Sequence, residues 1–102
     1  MVEVFRPIEG FSKYEISNQG NVRNKKTNRI LRPQDNGIGY KRCYIVGDDG
    51  QRKQKLVHRL VCCSFVPRNG ERIEVDHIDR DKNNNVVWNL RWATRGENCR
   101  NR

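Results

Sequence analysis

The chain has 102 residues and a mass of 12.1 kDa, enough for one compact domain with a modest core. Only 34% of its residues are hydrophobic and no stretch approaches the ~20 apolar residues of a membrane span, which excludes a transmembrane helix. Twenty-one Lys and Arg against twelve Asp and Glu give a net charge of +9 and a pI near 9.9, a balance suited to a polyanion and above all to nucleic acid. The opening Met1-Val2-Glu3 lacks the basic stretch and apolar core of a secretion signal, so the expected compartment is the cytoplasm or nucleoid. Charge is uneven along the chain. Residues 1–70 hold 14 basic and 6 acidic side chains (+8), and residues 71–102 hold 7 and 6 (+1).

From residue 5 to residue 57 short extended runs alternate with turn residues, the pattern of an antiparallel sheet. Tyr14-Glu15-Ile16-Ser17 alternates, Asn18-Gln19-Gly20-Asn21 turns, and Val22-Arg23 returns. Lys25-Lys26-Thr27-Asn28 reads as a second turn before an extended Arg29-Ile30-Leu31 that stops at Pro33. Residues 36–39, with two glycines, read as flexible. Residues 40–46 make the best strand, with Tyr40, Arg42, Tyr44 and Val46 on one face and Lys41, Cys43 and Ile45 on the other. Gly47-Asp48-Asp49-Gly50 predicts a hairpin turn, and residues 51–56 a basic edge strand.

The period then changes. Val57, Leu60, Val61 and Phe65 make one stripe of a helix that Pro67 ends, with His58 beside the stripe in a packing or hydrogen-bonding role. Arg68-Asn69-Gly70-Glu71 turns, residues 73–78 alternate as a short strand, and residues 79–85 form a polar loop. Leu90-Arg91-Trp92-Ala93 reads as the partner strand. Thr94, with Glu97 three residues on, predicts a capping box that opens a helix running to the end of the chain. Trp88 and Trp92 are expected in the core. Cys43, Cys62, Cys63 and Cys99 fit no zinc spacing and are expected as buried thiols of a reducing compartment, with no structural zinc.

Asp76-His77, Asn83-Asn84-Asn85, Asn89 and Asn98 are the dense polar cluster. A hairpin would bring Asp76 and His77 close to the start of the next strand, and the helix across both would bring Asn98 near Asp76. Carboxylate and amide oxygens suit Mg²⁺ or Mn²⁺ better than zinc. A neutral histidine, with reference pKa near 6.5, suits a base that activates water. On a basic protein this combination points to phosphodiester hydrolysis, although on spacing alone a plain polar surface stays open. The acid-free run of Arg23, Lys25, Lys26, Arg29 and Arg32, with Lys41, Arg42, Lys53 and Lys55, is expected to contact phosphates.

Val57-His58-Arg59-Leu60-Val61, Val75-Asp76-His77-Ile78-Asp79, Asn84-Asn85, Asn89-Leu90 and Glu97-Asn98, in that order, resemble the HNH family of phage and intron homing endonucleases. Residues 5–23, with Ile8-Glu9-Gly10-Phe11 and Gly20-Asn21-Val22-Arg23, resemble the N-terminal module often fused to such nucleases. The resemblance implies an α+β fold: an N-terminal antiparallel sheet over residues 1–56, then a connecting helix and a ββα-metal motif over residues 57–102, in one compact unit. It implies Asp76 and Asn98 as ligands of one Mg²⁺ or Mn²⁺, His77 as general base, and Asn89 as the group that orients the His77 imidazole. The implied activity is nicking or cutting of duplex DNA to leave 5′-phosphate and 3′-hydroxyl ends. The alternative is a DNA-binding module of a phage or mobile element with a weak or silent nuclease site.

Overall fold

The computed structural model describes residues 2–68 and 70–101. Asn69 of the expected Arg68–Glu71 turn, and Arg102 at the end of the expected last helix, lie outside the described residues. Three small antiparallel sheets surround one helix. Strands β1 (Phe5–Ile8), β2 (Phe11–Ser17) and β3 (Val22–Asn24) form the first sheet in that order, and β4 (Gln34–Asp35), β5 (Lys41–Val46) and β6 (Arg52–Leu56) form the second. Helix α1 (Val57–Phe65) follows directly, and β7 (Glu74–His77) then pairs with β8 (Leu90–Ala93), Asp76 facing Arg91 and His77 facing Leu90. A 3₁₀ turn (Val87–Asn89) leads into β8, and α2 (Arg95–Arg100) packs across both strands.

Helix α1 is the hub. It packs against strands of all three sheets. Its apolar stripe is buried, with Val57 and Val61 at 1% and 0% exposure beside Ile16 and Ile45 at 0%. Full burial of each such side chain contributes about 1.5–3 kcal/mol. The helix ends where the sequence requires. Val66 precedes Pro67, adopts φ −116° and ψ 117°, and donates its N–H to the Cys62 carbonyl. At the start of α2 the Thr94 hydroxyl accepts from the Glu97 N–H (3.2 Å) and the Glu97 carboxylate accepts from the Thr94 N–H (2.9 Å), the expected capping box. Arg72 grips the same carboxylate; the Thr94 backbone bond first, and then Arg72, hold the Glu97 pKa down to about 2.

Several expectations need correction. Ile30 makes only a single bridge to Arg23 and stays 47% exposed, because Asn28 takes a left-handed φ of 57° and the chain soon meets Pro33. Ile73 is not in β7; its carbonyl accepts from the Arg59 guanidinium (3.0 Å) rather than from the ladder. Trp88 is 54% exposed, not core: it is the middle residue of the 3₁₀ turn, which turns half-buried Val87 and buried Asn89 inward. Trp92 is buried as expected and donates Nε1–H to the Val66 carbonyl at 2.8 Å. Only two of the four thiols are buried. Burial pushes Cys43 up to about 11 and, with Cys63 adding to it, Cys62 up to about 12, whereas Cys63 and Cys99 face solvent. Consecutive residues on a helix point about 100° apart, so Cys62 and Cys63 cannot share one environment. A disulfide-exchange reagent at pH 8 is therefore expected to label two thiols per native chain and four after denaturation.

His58 is 6% exposed, its ring set between Tyr40 (centroids 5.0 Å apart) and His77 (5.1 Å). Its Nδ1 is buried without a hydrogen-bond partner among the described residues. Burial first, then the neighbouring His77 and Arg59 charges, lowers its pKa to about 3. A depressed histidine stabilises the fold fully above the unfolded value of 6.5 and loses that contribution as pH falls from 6.5 toward 3, because the unfolded chain then binds the extra proton. Wild type should lose up to about 1.4 kcal/mol per pH unit in that window relative to His58→Phe, read from denaturant unfolding of both proteins at pH 7, 6 and 5.

Candidate active site

The expected pair Asp76 and His77 ends β7, both side chains buried (3% and 6% exposed). Burying a carboxylate requires partners, and two elements supply them. Arg91, opposite in β8, donates from Nε to Asp76 Oδ2 at 2.8 Å, and Asn101 just beyond α2 donates from Nδ2 to Oδ1 and Oδ2 at 2.9 and 3.0 Å. A carboxylate offers about four acceptor positions, so Oδ1 keeps one for a further group. The same Asn101 amide also reaches the His77 carbonyl at 3.0 Å.

Asn98 is buried on α2 and donates from Nδ2 to Glu74 Oε1 at 2.9 Å, so its amide oxygen is the atom that could ligate an ion. Asp76, His77, Asn98 and Asn101 line one cavity of about 230 Å³, closed on its other side by Tyr40, Arg80 and Lys82. Among the described residues no three His, Cys, Asp or Glu side chains converge, so the donors here are one carboxylate and an amide. Such a sparse, all-oxygen set fits a hard divalent ion that keeps water and phosphate oxygens as its remaining ligands.

The imidazole of His77 is held by Asn85, whose Oδ1 lies 2.8 Å from Nε2. An amide oxygen only accepts, so Nε2 carries the proton and Nδ1 holds the lone pair. This corrects the expected role of Asn89. Asn89 does not reach the ring; it donates from Nδ2 to Asp79 Oδ1 and to the Asn84 carbonyl, both at 2.9 Å, and accepts from the Asp79 N–H at 3.1 Å. It therefore laces the loop that joins the two strands. Asp79 is the knot of that lacing. The Asn84 amide first, and then the Asp81 N–H, hold its carboxyl below the usual range. Sequence reading placed Asn85 in the polar cluster but missed its contact, and missed Arg91, Asn101, Arg80 and Lys82. Only the i+2 alternation of β8 hinted that Arg91 shares a face opposite Asp76.

The expected phosphate-contacting residues divide. Lys25, Lys26, Arg29, Arg32 and Lys53 are exposed. Arg23 is committed to Glu15 (3.0 Å) and to the Phe5 ring (3.7 Å), Arg42 bonds Gln54 (3.0 Å), Lys55 sits over the Phe11 ring (5.1 Å), and Lys41 is half-buried. A groove of about 750 Å³ runs between the two N-terminal sheets, away from the Asp76 cavity; Arg29, Arg32 and Arg52 line it. Among the described residues no helix is long and apolar enough to cross a membrane.

Comparison with known proteins agrees with this geometry. Residues 3–45 match the NUMOD4 motif and residues 55–100 match the HNH endonuclease family. The chain is 45% identical over 94 residues to the uncharacterized HNH endonuclease L247 of Acanthamoeba polyphaga mimivirus, a match spanning 90% of this chain and 23% of that one. It is 37% identical over 98 residues to DNA endonuclease I-HmuI of Bacillus phage SP01, spanning 95% of this chain and 56% of that one. A solved structure of DNA binding and cleavage by the HNH homing endonuclease I-HmuI superimposes with a TM-score of 0.87 at 36% identity, over 96% of this chain and 56% of that one. The chain thus spans about a quarter to a little over half of the relatives it matches. With the Asp76–His77 hairpin, the braced loop and the crossing helix in place, residues 55–100 belong to the HNH endonucleases, joined to a NUMOD4 motif over residues 3–45.

Proposed function

We propose that the chain is a divalent-metal-dependent endonuclease that hydrolyses a phosphodiester bond of duplex DNA, with residues 1–56 gripping the backbone and residues 57–102 carrying the chemistry. The observation that carries this reading is the convergence of Asp76, His77 and Asn98 on one cavity rimmed by Arg80 and Lys82. In this reading Asp76 and Asn98 hold the ion, Mg²⁺ or Mn²⁺. A bound divalent ion supplies charge stabilisation at the scissile phosphate and at the leaving 3′ oxygen. His77 accepts a water proton at Nδ1 while Nε2–H stays on Asn85. The water oxygen forms the new bond to phosphorus on the face opposite the 3′ oxygen, which leaves as an alkoxide and takes a proton from solvent water, giving 5′-phosphate and 3′-hydroxyl ends. Arg80 and Lys82 place positive charge where the phosphate must sit. The viral origin of the relatives supports a phage or mobile-intron source.

Supercoiled plasmid incubated with the protein and Mg²⁺ should relax or linearise, and EDTA should stop it. His77→Ala is expected to lower the cleavage rate by about 10²–10⁴-fold with DNA affinity retained. Asp76→Ala or Asn98→Ala should weaken the response to Mg²⁺, with partial recovery in Mn²⁺, which tolerates looser geometry. Wild-type rates from His77→Ala would overturn the base assignment. Salt-sensitive binding with no metal-dependent cleavage by the wild type would instead favour the DNA-binding module.

Binding gives an independent check on residues 1–56. Each phosphate contact contributes a slope of about −0.9 to log K against log salt. Replacing the exposed Lys25, Lys26 and Arg29 by Ala should make that slope shallower by up to about three such contacts, equally on every duplex sequence, because phosphate contacts carry no sequence information. An unchanged slope in the triple variant would move the DNA to another face of the sheets.

A further inference from the structure

We propose that the β2–β3 turn of the N-terminal module, Asn18 to Gly20, is a positioning element of the hydrolytic centre: it seats Asn85 and thereby fixes the tautomer and orientation of His77. The proposal rests on the reading of His77 as the base.

The turn touches the catalytic loop at two places on either side of Val86. The Asn18 carbonyl accepts the Val87 N–H at 2.8 Å, pinning the start of the 3₁₀ turn. Gly20 lies flat against Asn85; a β-carbon added there would sit 3.0 Å from both the Asn85 Cβ and the Asn85 carbonyl oxygen. Gly20 also has φ +85°, so two separate constraints demand glycine.

The turn is stiff enough to act as a fixed jaw. Ser17 is fully buried, and its Oγ accepts from the Gln19 and Asn21 N–H groups at 3.1 and 3.0 Å while donating to Glu3 at 2.7 Å. The Asn18 side chain accepts the Val4 N–H at 3.0 Å, and Asn18 N–H reaches the Val4 carbonyl at 3.0 Å. Asn89 laces Asn84 and Asp79 but leaves the Asn85 side chain to meet His77.

Gly10 provides a matched control. It too has a positive φ, +81°, in the same sheet, but a β-carbon there meets nothing within 4 Å. Gly10→Ala therefore adds backbone strain alone, and Gly20→Ala adds the same strain plus a push on Asn85. In the full chain with plasmid substrate, Gly20→Ala should lower kcat by about 10–100-fold, the scale of an ångström misplacement, with KM within about twofold of wild type. Gly10→Ala should keep kcat while its Tm falls by the backbone strain alone, no further than that of Gly20→Ala. Asn85→Ala should match Gly20→Ala, and the double variant should be no slower than Asn85→Ala, since both act through one contact.

The second readout is the ¹⁵N spectrum of the His77 ring in the metal-free protein. Wild type and Gly10→Ala should show a single Nε2–H form, and Gly20→Ala and Asn85→Ala a mixture of the two neutral tautomers. If Gly20→Ala does not fold, Val87→Pro carries the test. It removes the N–H that Asn18 accepts, at the first position of the 3₁₀ turn, behind a Val86 already at φ −70° and ψ 144°. Folded Val87→Pro or Gly20→Ala protein with the kcat of Gly10→Ala and an unchanged His77 spectrum would overturn the proposal, as would additive losses in the double variant. Wild-type cleavage by His77→Ala would instead refute the base, and the spectrum would still report whether the turn holds the ring.

Discussion

A carboxylate at 3% exposure cannot be left without partners, and the way Asp76 is satisfied organises the C-terminal half of the molecule. Arg91 reaches it across the hairpin and Asn101 reaches it from the end of α2, so β7, β8 and the last helix are tied at one pair of oxygens. The Arg91 side chain is half exposed, with water on one side and the buried carboxylate on the other. That arrangement gives a buried carboxyl its partners inside the fold and leaves one acceptor position on Oδ1 open. Removing one partner from such a pair leaves a buried charge uncompensated, which typically costs about 3–5 kcal/mol.

The two sequence-matched segments are not separate bodies on a string. Helix α1 lies against strands of all three sheets, and a single hydrophobic cluster runs from Ile8 in β1 to Trp92 in β8. The N-terminal sheets also reach the cavity itself. Tyr40, just before β5, faces both histidine rings, and Lys82 of the loop between β7 and β8 lies over Tyr40 (4.7 Å) and donates to the Ile38 carbonyl (3.2 Å). The ring cluster of Tyr40, His58 and His77 excludes water from one side of the imidazole. His58 is kept neutral there by burial, so it adds no charge beside His77.

Positive charge is arranged on two scales. Arg80 and Lys82 line the cavity that holds Asp76 and His77. Arg29, Arg32 and Arg52 line the wider groove between the N-terminal sheets, and Lys25 and Lys26 project from the adjoining turn. A polyanion lying in that groove would be held by several weak, screened contacts. Arg23 and Lys55 lie over the Phe5 and Phe11 rings and add to the packing of the N-terminal module.

Much of this was legible in the residues alone. Alternation and turn chemistry gave the strands, the stripe of Val57, Leu60 and Val61 gave α1, and Thr94 with Glu97 gave the cap of α2, because these signals act between near neighbours. Residue type and the ordered motif singled out Asp76, His77 and Asn98, and the fold brings the three to one cavity. Exposure of Trp88 was not legible, since a three-residue turn anchored by the distant Asn18 decides which way it faces. Nor was the choice among neighbouring asparagines. Asn84, Asn85 and Asn89 offer the same amide, and only the backbone path through the loop determines that Asn85 meets the imidazole while Asn89 meets Asp79. Local sequence thus determined which chemical groups are present and which elements carry them. Tertiary structure decided which of several equivalent groups come within 3 Å, because hydrogen bonds form across distances in space that spacing along the chain does not encode.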